Sequence, residues 1–338
     1  MAETSLKMAM VGCGGIARAH WHGIQNHAPR IDVTAVVDVD EKAAKEFAET
    51  VGARAYTSLE RCLYESGVDA VDLMLPHHLH EWAATVCFRA KKDVILEKPI
   101  AMDTVTAERI LNGAKRAEIK LMVAEQAQYW MDVVEARELI DRGEIGDIVT
   151  GKACFYDPLR PFDKDNLPWR FSLEKAGGGI SIDGGAHWIR PMRMMLGEIE
   201  EVVAATGRFI PEMEGESIAQ AILRFDSGVI GTFQAIQSTG RLAPIEDFRI
   251  TGTKGEIVIE RGRQGRLMLY NADYLDGKNV MSAFESKAAS YGVELADFAS
   301  YVLDDTPLAA PPEYALGELR TAIAMYRSVS TGRWEKVW

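Results

Sequence analysis

The sequence has little from which a disulfide scaffold, a zinc cluster or a membrane span could be built. Its four cysteines, Cys13, Cys62, Cys87 and Cys154, form no CxxC pair and no His/Cys ligand spacing. That argues against a disulfide framework or structural zinc and suits a reducing compartment. Met1–Lys7 lacks the charged-then-apolar pattern of a secretory signal, and no apolar stretch approaches the roughly 18 residues that span a bilayer. A soluble, cytoplasmic protein with no membrane partner is expected. Basic patches are missing too. Lys and Arg number 38 against 50 Asp and Glu, a net charge of −12, and that field repels polyanions, so nucleic acid is not an expected partner. No repeat or low-complexity tract is present. What remains is 338 residues, 47% of them hydrophobic, enough for two domains with a core each.

The first third alternates strand and helix signals. Leu6–Val11, Val33–Val37, Val68–Leu75, Val94–Leu96 and Lys120–Ala124 are apolar or β-branched runs, and Ile16–Ile24, Glu41–Thr50, Glu81–Ala90 and Thr104–Ala117 are helical in pattern. Repeated βαβ units predict an α/β fold whose residues 1–124 form a Rossmann domain, a doubly wound parallel sheet. Residues 125–338 change character. A helix at Val133–Arg142 is followed by strand candidates Ile148–Tyr156, Glu201–Arg208, Ser217–Phe225, Gly228–Gln237, Asp247–Thr251, Glu256–Glu260 and Arg266–Tyr270. Few helices intervene, which predicts an antiparallel sheet. The alternation in Ala219–Phe225 leaves one sheet face as a candidate for self-association. Asp157–Pro168, rich in Pro and Asp, reads as a long functional loop. Val293–Leu303 and Tyr314–Ser330 read as closing helices, and residues 293–330 are candidates to pack back on the first domain.

Between the first strand and helix stands Gly12-Cys13-Gly14-Gly15-Ile16-Ala17, a G-x-G-x-x-A. Gly12 permits the tight turn, Gly14 lets the backbone approach a pyrophosphate, and Ala17 lets helix and strand pack closely. Gly15 and Ile16 open the helix, whose N-terminal N–H groups favour phosphate. Asp38 ends the second strand, where a carboxylate accepts hydrogen bonds from a ribose diol; its other reading is a cap for the next helix. The same carboxylate would repel a 2′-phosphate, so NAD is favoured as cofactor over NADP.

Six of the seven histidines precede residue 81. His20 and His22 read as ordinary packing or surface residues of the first helix. His77, His78 and His80 are too close in sequence to converge on one tetrahedral ion, so no metal is expected, and one of them suits the nicotinamide pocket. Asp183 and His187 are spaced i, i+4, which on a helix puts a carboxylate beside an imidazole as in a general base. A capping Asp and a packed His is the alternative. The glycines at 177–179, 184 and 185 favour function, since they admit close approach to the backbone. Glu97-Lys98-Pro99 ends a strand on the edge where such sheets bind ligands, so Lys98 can stabilise a developing alkoxide. On spacing alone a surface lysine is the simpler reading.

Taken in order, Gly12-x-Gly14-x-x-Ala17, Asp38, Pro76-x-x-x-His80, Glu97-Lys98-Pro99 and Asp183-x-x-x-His187 behind three glycines resemble the glucose–fructose oxidoreductase / inositol dehydrogenase (Gfo/Idh/MocA) family. The resemblance extends through Ile250–Gly255 to Tyr326-Arg327-Ser328. It implies an N-terminal Rossmann domain and a C-terminal α/β domain with an open, mainly antiparallel sheet, hydride transfer between a nicotinamide and a sugar, glycoside or cyclitol, and an oligomer, homodimer or homotetramer, built on that sheet. It also implies a cis peptide bond before Pro99. Pro76, His77, His80, Glu97 and Lys98 fall on the cofactor side. Lys98, Asp183 and His187 match the family's catalytic trio: His187 as base, Asp183 orienting the substrate or the imidazole, Lys98 polarising the oxygen, with Lys98 as base the other assignment. A proton acceptor from the C-terminal half is thus expected to face a nicotinamide held by the N-terminal half.

Two departures bear on the substrate. Arg190 stands where many relatives carry Asp, and Gln126–Met131 lacks the Arg and Pro often found there. Arg190 reads equally as a reader of a substrate carboxylate or as half of a structural ion pair, while Trp169, Arg170, Tyr156 and Tyr129 are candidates for a sugar-stacking wall. The competing readings of function are a catalytically silent NAD(H) sensor and a methyltransferase; the intact trio and the Glu-Lys-Pro turn disfavour both.

Overall fold

Strand β1 (Leu6–Val11) is buried at every position except Lys7, as a strand covered on both faces must be. It opens a series in which α1 (Gly15–His27), β2 (Ile31–Val37), α2 (Glu41–Val51), β3 (Arg54–Tyr56), α3 (Leu59–Glu65), β4 (Ala70–Leu73), α4 (His80–Arg89), β5 (Asp93–Glu97), α5 (Thr104–Ala117) and β6 (Leu121–Ala124) follow in turn. All adjacent strands pair parallel, in the order β3-β2-β1-β4-β5-β6. This is the doubly wound dinucleotide-binding order, with its direction of winding reversing between β1 and β4. The computed structural model describes residues 5–240, 245–261, 265–282 and 286–338; residues 1–4 of the stretch examined for a targeting signal fall outside it.

The second series comprises α6 (Met131–Asp141), β7 (Ile148–Pro158), α7 (Leu173–Ala176), α8 (Ala186–Leu196), β8 (Ile199–Gly207), β9 (Ile218–Phe225), β10 (Ile230–Ser238), β11 (Ile245–Gly252), β12 (Gly255–Arg261), β13 (Arg266–Asn271) and β14 (Tyr274–Ser282). After α9 (Ser286–Asp304) come α10 (Leu316–Thr331) and β15 (Glu335–Lys336). The sheet order is β14-β13-β12-β11-β7-β10-β9-β8-β15. Every neighbouring pair is antiparallel except β7 with β10, which run parallel. Burial alternates strictly from Ala219 to Phe225, the signature of a sheet with one face toward a core.

The chain divides into two compact units, one of Met1–Tyr129 with Lys287–Leu316 and the other of Trp130–Ser286 with Gly317–Trp338. The first unit thus ends beyond the residue-124 boundary expected from the sequence. The short turn at Gln126–Tyr129 explains why: Tyr129 donates its hydroxyl to Asp297 at 2.6 Å and Gln126 its amide to Tyr291 at 3.2 Å, both on α9. Of the closing segments, α9 packs Leu295, Phe298 and Ala299 into the core of the first unit beside Met8, Ile24 and Ile31, while α10 belongs mostly to the second. No helix among the described residues is long and apolar enough to cross a membrane. All four cysteines are unpaired and buried.

Candidate functional site

Gly12 is forced by its surroundings. Its φ is +93°, and a Cβ there would lie 2.3 Å from the Met74 carbonyl oxygen. Gly14 caps α1 without a side chain, no acid occupies the first turn, and a Cβ on Gly14 or Gly15 would meet nothing within 4 Å. The positive end of the helix therefore opens on an unobstructed glycine surface, the arrangement a pyrophosphate needs. Asp38 is not the cap of α2. Asp40 takes that role, accepting from the amides of Lys42 and Ala43. The Asp38 carboxylate instead accepts from the Cys13 amide at 2.8 Å and the Asp40 amide at 3.0 Å, which fixes it beside the loop. Burial, with Asp38 next, pushes the Cys13 thiol up to about 12, so it stays a neutral packing group. An uncapped helix terminus and a held carboxylate are the donor and acceptor set that an NAD pyrophosphate and ribose require.

Pro76 leads into a tight turn at His77–Leu79, and both His77 and His80 are buried. His80 is fully enclosed, its Nδ1 2.9 Å from the Pro99 carbonyl oxygen and its Nε2 2.9 Å from that of Leu75. It was expected on the cofactor side. Having no exposed surface, it ties the Pro99 turn to the end of β4, and burial lowers its pKa. The Lys98–Pro99 bond is cis, as the resemblance implied. The Lys98 amide donates to the Glu97 carboxylate at 3.1 Å and to the Ala124 carbonyl at 3.2 Å. His20, expected to be ordinary, lies wholly buried with Nδ1 2.8 Å from Asp72 and Nε2 3.0 Å from Glu97.

In the second unit α8 starts at Ala186, so Asp183 belongs to the preceding turn, where its amide donates to the Gly179 carbonyl. The shared helical turn expected for Asp183 and His187 is not formed. The physical reason is the glycine-rich turn closed by Gly185 N–H to the Ile180 carbonyl at 2.7 Å. Asp183 accepts from Arg170 Nε at 2.8 Å, and the Arg170 guanidinium lies 4.3 Å above the Trp169 ring. His187 is half-buried on the first turn of α8, its ring 6.3 Å from that of Trp130. Tyr156 on β7 donates to Gln234 at 2.8 Å. Trp169, Arg170 and Tyr156 thus share the second unit, whereas Tyr129 belongs to the first.

The glycines before α8 serve the protein's own packing. A Cβ on Gly178 would lie 2.2 Å from the Tyr326 hydroxyl, and one on Gly179 would lie 2.1 Å from the Glu216 carbonyl oxygen. The buried Glu216 carboxylate accepts from the amides of Gly179 and Ser181, at 3.0 and 2.9 Å, and from the Tyr326 hydroxyl at 3.0 Å. Burial and that carboxylate hold the Tyr326 hydroxyl well above its usual pKa. Sequence reasoning missed Glu216; Tyr326, in the closing motif, was its one pointer. Arg190 is 2% exposed and donates from Nε to Glu318 at 2.5 Å and from Nη2 at 3.2 Å. Arg193 donates to Glu318 and to Glu198. Of the two readings left open for Arg190, this geometry supports the structural ion pair. Among the described residues no three His, Cys, Asp or Glu side chains are grouped to hold a metal.

Two family descriptions match the chain: "Oxidoreductase family, NAD-binding Rossmann fold" over residues 6–125 and "GFO/IDH/MocA C-terminal domain" over residues 133–258. A crystal structure of an oxidoreductase from Thermotoga maritima is 30% identical, covers 98% of each chain and superposes with a TM-score of 0.86. The chain belongs to the Gfo/Idh/MocA family of oxidoreductases. Other members of the family include myo-inositol 2-dehydrogenase of Thermotoga maritima, 26% identical over 97% of each chain. Levoglucosan dehydrogenase of Pseudarthrobacter phenanthrenivorans is 25% identical over 85% of this chain and 82% of its own. The glycine loop and Asp38 both lie within the segment that matches the NAD-binding Rossmann description.

Proposed function

We propose that this NAD-dependent oxidoreductase transfers a hydride between the nicotinamide and a carbinol carbon of a sugar, glycoside or cyclitol. The observation that carries the substrate class is that one chain holds both a Glu97-Lys98-Pro99 turn on its dinucleotide-binding sheet and the Asp183-x-x-x-His187 motif at the head of α8, in a family whose relatives are named for myo-inositol and levoglucosan. Bound NAD supplies the hydride acceptor. His187 takes the hydroxyl proton as the hydride leaves the same carbon, and Lys98 stabilises the alkoxide character that develops on the oxygen. Asp183, held by Arg170, orients the substrate hydroxyl or the imidazole. Trp169 and Tyr156 supply aromatic surface to the apolar face of a pyranose or cyclitol ring. The retained Lys98, Asp183 and His187 speak against a silent NAD(H) sensor.

The enzyme is read as cytoplasmic, in keeping with its free buried thiols, and as a homo-oligomer associating through the outer face of the second sheet. There Ile222 and Ile230 are 44% and 51% exposed on paired strands. Sedimentation tests the second point. The function is tested by following NADH absorbance across a panel of sugars, glycosides and cyclitols. Turnover by the wild type and its loss in Lys98→Met and His187→Asn is expected. Absence of turnover across the panel, with NADH still binding, would favour the sensor.

A further inference from the structure

The first unit buries a cluster of ionisable groups. His20, on α1, is 0% exposed, and so is Asp72 on β4; Glu97 at the end of β5 is 8% exposed. The imidazole spans the two acids, Nδ1 to Asp72 Oδ2 at 2.8 Å and Nε2 to Glu97 Oε1 at 3.0 Å. From α9, Tyr291 sets its ring 5.4 Å from that of His20 at a 47° tilt, and Glu294 lies fully buried. The other Glu97 oxygen accepts from the Lys98 amide at 3.1 Å. A continuous chain of hydrogen bonds therefore runs Asp72, His20, Glu97, Lys98.

Burying an imidazole between two carboxylates is costly unless the arrangement does something. Apolar residues of similar volume would pack this layer at less cost. At one end of this hydrogen-bond chain stands Lys98. We infer that His20 is a positioning residue for Lys98: wedged between Asp72 and Glu97, it fixes the Glu97 carboxylate so that its second oxygen clasps the Lys98 amide and sets the path by which Lys98 leaves the sheet. The inference rests on Lys98 acting in the hydride transfer proposed above.

The groups that face His20 are consistent with a charged ring. Asp72 and Glu97 hold its pKa well above the ordinary histidine value against the opposing effect of burial. Desolvation on α9 raises the Glu294 pKa well above the usual carboxylate value, opposed by His20 and reinforced by Glu97, Glu125 and Asp72. His80 holds the far side of the same turn through the Pro99 carbonyl.

The test compares full-length wild type with His20→Gln and Asp72→Asn. Three quantities are read: the NADH dissociation constant by fluorescence, kcat and KM on the substrate found in the panel, and the pH midpoint for acetic anhydride labelling of Lys98, followed by mass spectrometry. Misplacing a catalytic group by an ångström or less costs about 10- to 100-fold in rate, so kcat is expected to fall by that factor in both variants with the NADH dissociation constant changed by less than about twofold. The labelling midpoint of Lys98 is expected to move in both by about half a pH unit or more. A merely structural histidine would lower thermal stability and leave that midpoint where it was in the folded fraction, and this result overturns the inference. So does a kcat that holds while KM rises. If His20→Gln does not fold, Asp72→Asn, which keeps the ring and removes its anchor, decides the matter by the same readings. Wild type inactive on every panel member refutes the substrate reading, yet the Lys98 labelling still reports on the clasp.

Discussion

Arg170 Nε stands 2.8 Å from Asp183 Oδ2, and its guanidinium plane covers the Trp169 ring at 4.3 Å. Arg170 is 45% exposed along its side chain and Asp183 21%, so the ion pair adds at most about 1 kcal/mol to stability. Its expected effect is on the direction in which the Asp183 carboxylate faces. Arg170→Met is predicted to lower kcat/KM about tenfold or more, roughly 1.4 kcal/mol of transition-state stabilisation, with little change in melting temperature. A double-mutant cycle with Asp183→Asn checks the coupling. Strict additivity of the two losses refutes it.

The Arg190–Glu318–Arg193 cluster predicts the opposite balance. All three side chains are at most 6% exposed, and Glu318 takes hydrogen bonds from both guanidinium groups. Removing one partner leaves buried charge uncompensated, at a cost of about 3–5 kcal/mol. Glu318→Gln and Arg190→Ala should therefore shift urea midpoints strongly. Where folded protein survives, Arg190→Ala is expected to lose activity equally on a neutral sugar and on its uronic acid. A loss confined to the acid would restore Arg190 as the reader of a substrate carboxylate.

Cofactor choice turns on Asp38. Its carboxylate is fixed by the Cys13 and Asp40 amides, so it cannot swing away from a 2′-phosphate. Asp38→Ser, which keeps a hydrogen-bonding group and removes the charge, should tighten NADPH binding and weaken NADH binding, each about tenfold, 1.4 kcal/mol in either direction. Fluorescence titration with both nucleotides measures it. An unchanged preference would mean that Asp38 serves only the loop.

Parallel strands buried on both faces, such as β1 and β5, announce themselves as apolar runs, and the glycine loop identifies itself by its place between strand and helix. This is why the first unit was legible almost residue by residue. The short pieces were not: β3 has three residues and α3 seven, too few for a period to emerge. The parallel pairing of β7 with β10 was hidden for another reason, because alternation carries no direction. The supports of the candidate site lay furthest out of reach. Glu216 meets Gly179 across more than thirty residues of chain and Tyr326 across more than a hundred, as Glu318 meets Arg190, and a solitary acid in a loop or helix gives no sign of its partner. His20 looked ordinary because the acids that define it sit on two strands distant in sequence from its helix.

Glu294 makes stability depend on pH with a definite sign. Among the described residues neither carboxyl oxygen has a hydrogen-bond partner, the side chain is fully buried, and desolvation raises its pKa well above the ordinary 4.5. Native protein keeps the proton above that value and unfolded chain releases it. The unfolded state therefore binds fewer protons, and stability falls as pH rises from about 4.5 toward the native pKa, by up to about 1.4 kcal/mol per pH unit. His20 contributes a fall of the same sign, since its native pKa is also raised, but its window opens only above its unfolded value of 6.5. Between the two values the loss assignable to Glu294 can be isolated with Glu294→Gln, which fills the same volume and cannot ionise. Urea unfolding at several pH values from about 5 to 6.5 should show the variant gaining on wild type at each step. A constant difference across that range would mean that Glu294 is ionised in the native protein and that the charge balance assigned to the His20 cluster is wrong.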